Sequence, residues 1–334
     1  MANQIEVIDG FDEYSAVADL QMLYTSVGTV TLNTTSPVVE GKYVGFTNNQ
    51  RMTRALPANA TYTFGFHVQP QGGGSASCDV LLIQEGATVH GILNINFSTG
   101  VVTISRNGSI PANATVAPFR QDVWRWVEVR YKVDNSAGEW EVRVDGTTVI
   151  GPTSSLDTNN AGAVGTISAY RLGAGLSQEA FYADNFYAAS GSAGFQGEGR
   201  CVTDMPTADG GLVAWAASAG NDFACVDEIP QNGDTDYISS ATSTDRDCFT
   251  FATFGLTGTI KALVISAVAR KDDAAARVLN PFQRRSSTNQ DHADTWTLST
   301  SYAKYEAISV LDPHTGSAYL DSNIDSTELG VEVV

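Results

Sequence analysis

Short runs of alternating apolar and polar residues, each closed by a turn signal, recur along this chain and commit it to antiparallel sheet. Residues 61–68, 126–133 and 140–144 all alternate with period two, which sends successive side chains to opposite faces of a strand. Asp134-Asn135-Ser136-Ala137-Gly138-Glu139 joins the last two runs, and Asp145-Gly146 leads on into residues 147–150. Turn residues between alternating runs predict β-hairpins. Two more hairpins follow from Ser98-Thr99-Gly100, between residues 93–97 and 101–104, and from Arg106-Asn107-Gly108-Ser109. Strands packed this densely predict a sandwich or jelly roll. Only residues 12–23 fit a short helix, with Asp12 as its N-cap.

Composition agrees and excludes several function classes. The 334 residues are 43% hydrophobic but only 17% charged, and 31 are glycine, as expected of a turn-rich β protein. A net charge of -18 argues against nucleic-acid binding through a broad basic face. No apolar run approaches the roughly 20 residues of a membrane span, and Met1-Ala2-Asn3-Gln4 does not read as a signal peptide. The four cysteines, Cys78, Cys201, Cys225 and Cys248, form no CxxC pair. Buried free thiols are expected.

A domain break is expected at the small-residue stretch 189–194. It divides the chain into residues 1–189, a linker over 190–198, and residues 199–334. In the second part, residues 260–269 are nearly continuous in apolar and small side chains, which predicts a strand in the middle of a sheet. Residues 329–334 read as a final strand tied into the core.

The segments Val123-Trp124-Arg125-Trp126-Val127-Glu128-Val129, Gly138-Glu139-Trp140-Glu141-Val142-Arg143-Val144-Asp145-Gly146 and Phe181-Tyr182-Ala183-Asp184-Asn185-Phe186-Tyr187 resemble a concanavalin-A-like, laminin-G-type jelly roll. Residues 7–14, 199–210 and 312–316 running to 330–333, with residues 226–230 and 269–273 between them, resemble in order the structural proteins of tailed bacteriophages. Ala318-Tyr319 stands where that family usually carries a tryptophan. The resemblance implies an all-β chain, a jelly roll followed by a second β-sandwich that serves docking and assembly. It further implies a virion protein made in the bacterial host cytoplasm, a capsid decoration or tail appendage, with other virion proteins and sister subunits as partners. A protein that is not an enzyme is expected. Two alternatives are a carbohydrate-binding protein that recognises host surface glycan and a glycoside hydrolase.

Candidate chemistry is sparse. Hydrolases of the laminarinase branch use carboxylates spaced along one strand face. Glu139, Glu141 and Asp145 come closest, but Arg143 shares their face and Asp145 falls in the turn, so a solvated Glu–Arg ladder is the expectation. His67, His90, His292 and His314 lack metal-ligand spacing and read as polar loop residues; His292 and Asp294 have no nucleophile elbow to serve. Acidic loops at Asp234 and Asp236, Asp272 and Asp273, and Asp291 and Asp294 offer oxygens for Ca²⁺; no other cofactor is expected. Trp124, Trp126 and Trp140 suit either sugar stacking or packing. Five Asn-x-Ser/Thr sequons, beginning at Asn33, Asn59, Asn96, Asn107 and Asn113, read as loop and strand polarity.

In this acidic chain, Arg270, Lys271, Arg277, Arg284 and Arg285 stand out. With Phe282, Leu279 and Pro281 as an apolar centre, they are the expected interface. Asp227, Glu228, Asp234 and Asp236 of a sister subunit would be its counterpart in a homo-oligomer, with a trimer as the working expectation.

Overall fold

The alternating runs become two facing sheets in the first part of the chain. The computed structural model describes residues 4–28, 30–34, 41–47, 49–71, 77–114, 116–160, 165–173, 180–191 and 194–334. Two residues of the expected linker, Ser192 and Ala193, lie outside the described residues. The chain divides into two units, Met1–Cys201 and Val202–Val334.

In the first unit the front sheet runs Thr147–Leu156, Gly138–Val144, Arg125–Lys132, Thr61–Pro70, Phe181–Ser190, Tyr43–Phe46, Thr31–Asn33, and Gln4–Asp9 pairs with Phe181–Ser190. The back sheet runs Ser109–Asn113, Val102–Arg106, Thr88–Asn96, Ser77–Glu85, Ile167–Gly173, Arg51–Asn59, Ser26–Val27. All pairings are antiparallel. Two predicted hairpin turns carry the positive φ that a two-residue turn requires, 48° and 75° at Asp145-Gly146 and 43° and 82° at Asn107-Gly108. The inner faces meet in one core: Phe64, Phe66, Val127 and Val129 from the front, Val80, Ile83, Leu93 and Ile95 from the back. All eight are fully buried, each worth about 1.5–3 kcal/mol.

The second unit is also all-β, as expected of its sequence. Its main sheet runs Pro206–Val213, Arg246–Phe251, Glu328–Val333, Val278–Arg285, Thr288–Asp291, with Trp296–Thr297 also paired to Val278–Arg285. Its hydrophobic cluster is small: Ile265, Leu279, Trp296, Leu298, Ala307 and Val333. Strand makes up 51% of the structure and helix 4%, so sheet carries the fold throughout.

Two local expectations are corrected. The helix over residues 12–23 shrinks to Val17–Leu20, with Ala16 at its N-cap. Asp12 does not cap it, because its carboxylate accepts the Lys42 backbone N–H at 2.5 Å; Asp19 instead binds the N–H groups of Ser15 and Ala16. Nor is residues 260–269 a central strand. Leu263–Ala269 pairs only with Ala303–Ser309 in a two-stranded ribbon. Its Ala and Ser positions cover too little surface to need a sheet on both sides, and most of its residues remain half-exposed.

Candidate functional site

The outer face of the front sheet concentrates the polar and aromatic groups of the first unit. Every residue of Thr61–Pro70 is buried, on both faces of the strand. The inner face is covered by the core, and near Gly65 and His67 the outer one lies beneath residues 194–201, which cross it as a strap. Glu128, 1% exposed, accepts from the Tyr187 hydroxyl at 2.6 Å and from the Gly197 N–H at 2.9 Å. The Tyr187 oxygen in turn accepts the Gln196 N–H at 3.2 Å. His67 Nε2 lies 3.0 Å from Glu198, and Asn185 accepts the Cys201 N–H at 2.7 Å. Phe195 sits under the Arg143 guanidinium, 3.9 Å from its ring centroid.

Beneath the strap, the Trp126 ring stacks on Tyr187 and meets His67 edge-on. Gly65 makes this possible, since a Cβ there would lie 2.1 Å from the Tyr187 ring. Burial lowers the His67 pKa more than Glu198 raises it, so the imidazole is neutral near pH 7. Burial, and then Glu128, pushes the Tyr187 hydroxyl well up, which keeps it a donor. Beside the Cys201 end, Asp184 is pushed up to about 8 by burial and then by Asp12 and Asp9, against one hydrogen bond from the Asn185 N–H.

Away from the strap the same face carries an aromatic platform. Tyr43 and Tyr182 lie 4.7 Å apart by ring centroids, and Trp124 meets Tyr43 edge-on at 5.7 Å and Tyr182 at 6.4 Å. Tyr43 is buried while Trp124 and Tyr182 are half-exposed. Tyr182 stands in register between Gly45 and Gln69. The amides of Gln69 and Gln71 form a hydrogen-bonded chain that ends on the Asp122 carbonyl. A half-exposed aromatic surface with amides beside it can stack on the apolar face of a sugar and bond its hydroxyls. A shallow cavity of about 520 Å³ lies elsewhere, lined by Phe97–Thr99, Ala117 and Phe119–Gln121; Arg120 is its one ionisable group.

The tryptophans read as equivalent in sequence thus separate. Trp140 joins the core, Trp126 lies under the strap, and Trp124 alone reaches the surface. Glu139, Glu141 and Asp145 stand on the face expected, each with a cation: Arg130 at 3.6 Å, Arg143 at 2.8 Å and Arg125 at 2.6 Å. Glu141 also accepts from Thr148 and Asp145 from the Trp126 N–H. His67 and His90 are not loop residues; they are 2% and 0% exposed in strands, and His90 Nδ1 accepts the Asn160 N–H. His292 contacts the Ile308 carbonyl and Asp294. Glu128 and Tyr187 escaped the sequence reading, although Glu128 shares the phase of Trp126 in its alternating run.

The acidic loops expected for Ca²⁺ bind side chains of their own unit. Asp234 holds Arg270 and Tyr302, Asp236 holds Asn232, Asp273 holds Arg277, and Asp291 holds Arg246. Among the described residues no group of three or more His, Cys, Asp or Glu is placed to hold a metal ion. Cys78, Cys201, Cys225 and Cys248 are all free thiols.

The expected interface is likewise engaged within its own chain. Arg270 pairs with Asp234, Arg277 with Asp273, Arg284 with Glu328 and Arg285 with Asp312, all at 2.9 Å or less. Lys271 donates to the Ala275 carbonyl. Phe282, the expected apolar centre, is fully buried, beneath the guanidinium of Arg246.

No protein-family profile and no curated protein matches the sequence. Several solved structures are similar to part of the chain. A cellulose-induced protein, Cip1, is 15% identical over 57% of this chain and 100% of its own, with a TM-score of 0.41. A GH131 β-glucanase catalytic domain from Podospora anserina is 14% identical over 57% and 97%, at 0.36. The carbohydrate-binding module CBM66 from Bacillus subtilis is 11% identical over 49% and 98%, at 0.31. At these similarities no residue role transfers. The expectation of a protein that is not an enzyme is nevertheless corrected, because a catalytic domain stands among these structures.

Proposed function

We propose that the first unit recognises carbohydrate through Tyr43, Trp124 and Tyr182, and that the chain carries this unit on a tailed-phage particle to engage the host surface. The observation that carries the glycan reading is the aromatic platform. Two of its three rings stay half-exposed on the sheet face, although the core beneath is already complete without them. Rings at such a position add contact area for a ligand that has one apolar and several polar edges. The particle assignment rests on the ordered sequence resemblance described above.

A docking role for the second unit is favoured by a separate observation. Large apolar side chains are exposed at Val202, Val213, Ile229, Tyr237, Leu311 and Leu320, over a small core. Exposed apolar side chains of this size are available for contact with sister chains or other particle proteins.

A glycan array probed with the full chain and with Trp124→Ala tests recognition. The expected result is binding to a defined group of glycans, weakened about tenfold or more by the substitution, as loss of about 1.5 kcal/mol of stacking requires. Equal binding by both proteins, or no binding at tens of micromolar, refutes it. Mass spectrometry of purified particles tests the location.

A further inference from the structure

We infer that a proton held on Asp247 bridges it to Asp222, and that this proton latches the segment before Phe223–Cys225 to the sheet of the second unit, releasing it in alkaline solution. Asp247 lies on Arg246–Phe251, between Pro206–Val213 and Glu328–Val333, and is fully buried. No side-chain donor reaches either carboxyl oxygen of Asp247, which has only the Cys248 backbone N–H beside it, and Asp222 Oδ2, on a residue 6% exposed, has no partner. The two carboxyls lie within hydrogen-bonding reach of each other. Two buried carboxylates cannot both be charged at that separation, whereas one proton between them supplies the missing donor.

The neighbours leave no other source of neutralisation. Pro206–Val213 contributes Asp209, whose carboxylate holds the Phe223 N–H at 2.7 Å, and this second acid also favours the protonated form. Glu328–Val333 contributes Val331 opposite Asp247. Its acids are turned to the other face, where Glu332 meets Arg246 and Glu328 meets Arg284 and Cys248. The Arg246 cation is on that face as well, one residue out of phase with Asp247. Burial first, and Asp222 second, push the Asp247 carboxyl up to about 8. Near neutral pH the proton is therefore held. Above about pH 8 it leaves to solvent, and two like charges face each other in a buried site.

The part that yields is the segment of Asp222, because Asp247 is fixed by ladders on both sides. Three residues on, the thiol of Cys225 is 4% exposed and donates to the Ala219 carbonyl at 2.8 Å. Its accessibility reports release. The test labels the full chain with a neutral alkylating reagent at about pH 6.5 and about pH 9.5 and locates modified Cys225 by mass spectrometry. Wild type is compared with Asp247→Asn at each pH, which cancels the reagent's own pH dependence. The amide of the variant stands in for the protonated acid. The two should label alike at the lower pH, and wild type should label roughly tenfold faster at the higher. Asp222→Asn tests the same pair should the first variant fail to fold. Equal labelling of wild type and variants at both pH values overturns the inference. So does protection of wild-type Cys225 by millimolar Ca²⁺ at both, which would place a cation between the carboxyls.

Discussion

Removing one hydroxyl should free the strap. Tyr187→Phe deletes the 2.6 Å hydrogen bond to Glu128 and the acceptor of the Gln196 N–H, while the ring can keep its stack on Trp126. A hydrogen bond to a charged group contributes about 1.5–3 kcal/mol. Glu128 keeps only the Gly197 N–H among its two donors described above. A loss of about 2 kcal/mol raises the open population of the strap about thirtyfold. Arg200 is exposed within this segment, so trypsin cleavage after Arg200 under native conditions reads that opening. Cleavage after Arg200 should accelerate about thirtyfold, while sites such as Lys132, held in a central strand, remain slow. An unchanged rate after Arg200 would show that the strap is held by something other than the Tyr187–Glu128 contact.

Other substitutions test the surrounding structure. Gly65→Ala should cost about 1–3 kcal/mol, read by urea unfolding, because the new methyl meets the Tyr187 and Trp126 rings. Asp184 keeps its proton to about pH 8 when folded but loses it near 3.9 when unfolded. Stability of the first unit should therefore fall as pH rises between those values, and Asp184→Asn should flatten that fall in a thermal melt. Phe282→Ala should cost about 3–5 kcal/mol and lower the unfolding midpoint of the second unit, since the ring is fully buried. Light scattering on the full chain should then give the same mass for Arg284→Ala as for wild type, because Arg284 is committed to Glu328.

The period-two runs made the sheets legible, since residues 61–68 and 126–133 carry both their length and their inward face in the order of side chains. The turns were legible for the same local reason: Asp145-Gly146 and Asn107-Gly108 state the backbone they adopt. What escaped depends on partners distant in sequence. Arg284 meets Glu328 across 44 residues and Arg285 meets Asp312 across 27, so a run of cations that looks unneutralised is paired. Asp12 carries a good capping side chain, but Lys42 takes it from 30 residues away. Nothing in the run of Glu128 tells that residues 196 and 197 return to cover it. Trp124 and Trp126 share a phase, and only the path of the strap separates them.

The place of Glu328–Val333 between Arg246–Phe251 and Val278–Arg285 sets a timetable for synthesis. Both flanking strands leave the ribosome tens of residues before the strand that joins them. Until then each presents an open edge, and Phe249, Phe282 and Leu279 lack their cover. The first unit needs no residue beyond Cys201 for its own sheets and can close during this wait. Translation speed between Val278–Arg285 and Glu328–Val333, and chaperone occupancy of the waiting edges, should therefore govern how much of the second unit reaches the native state in a cell.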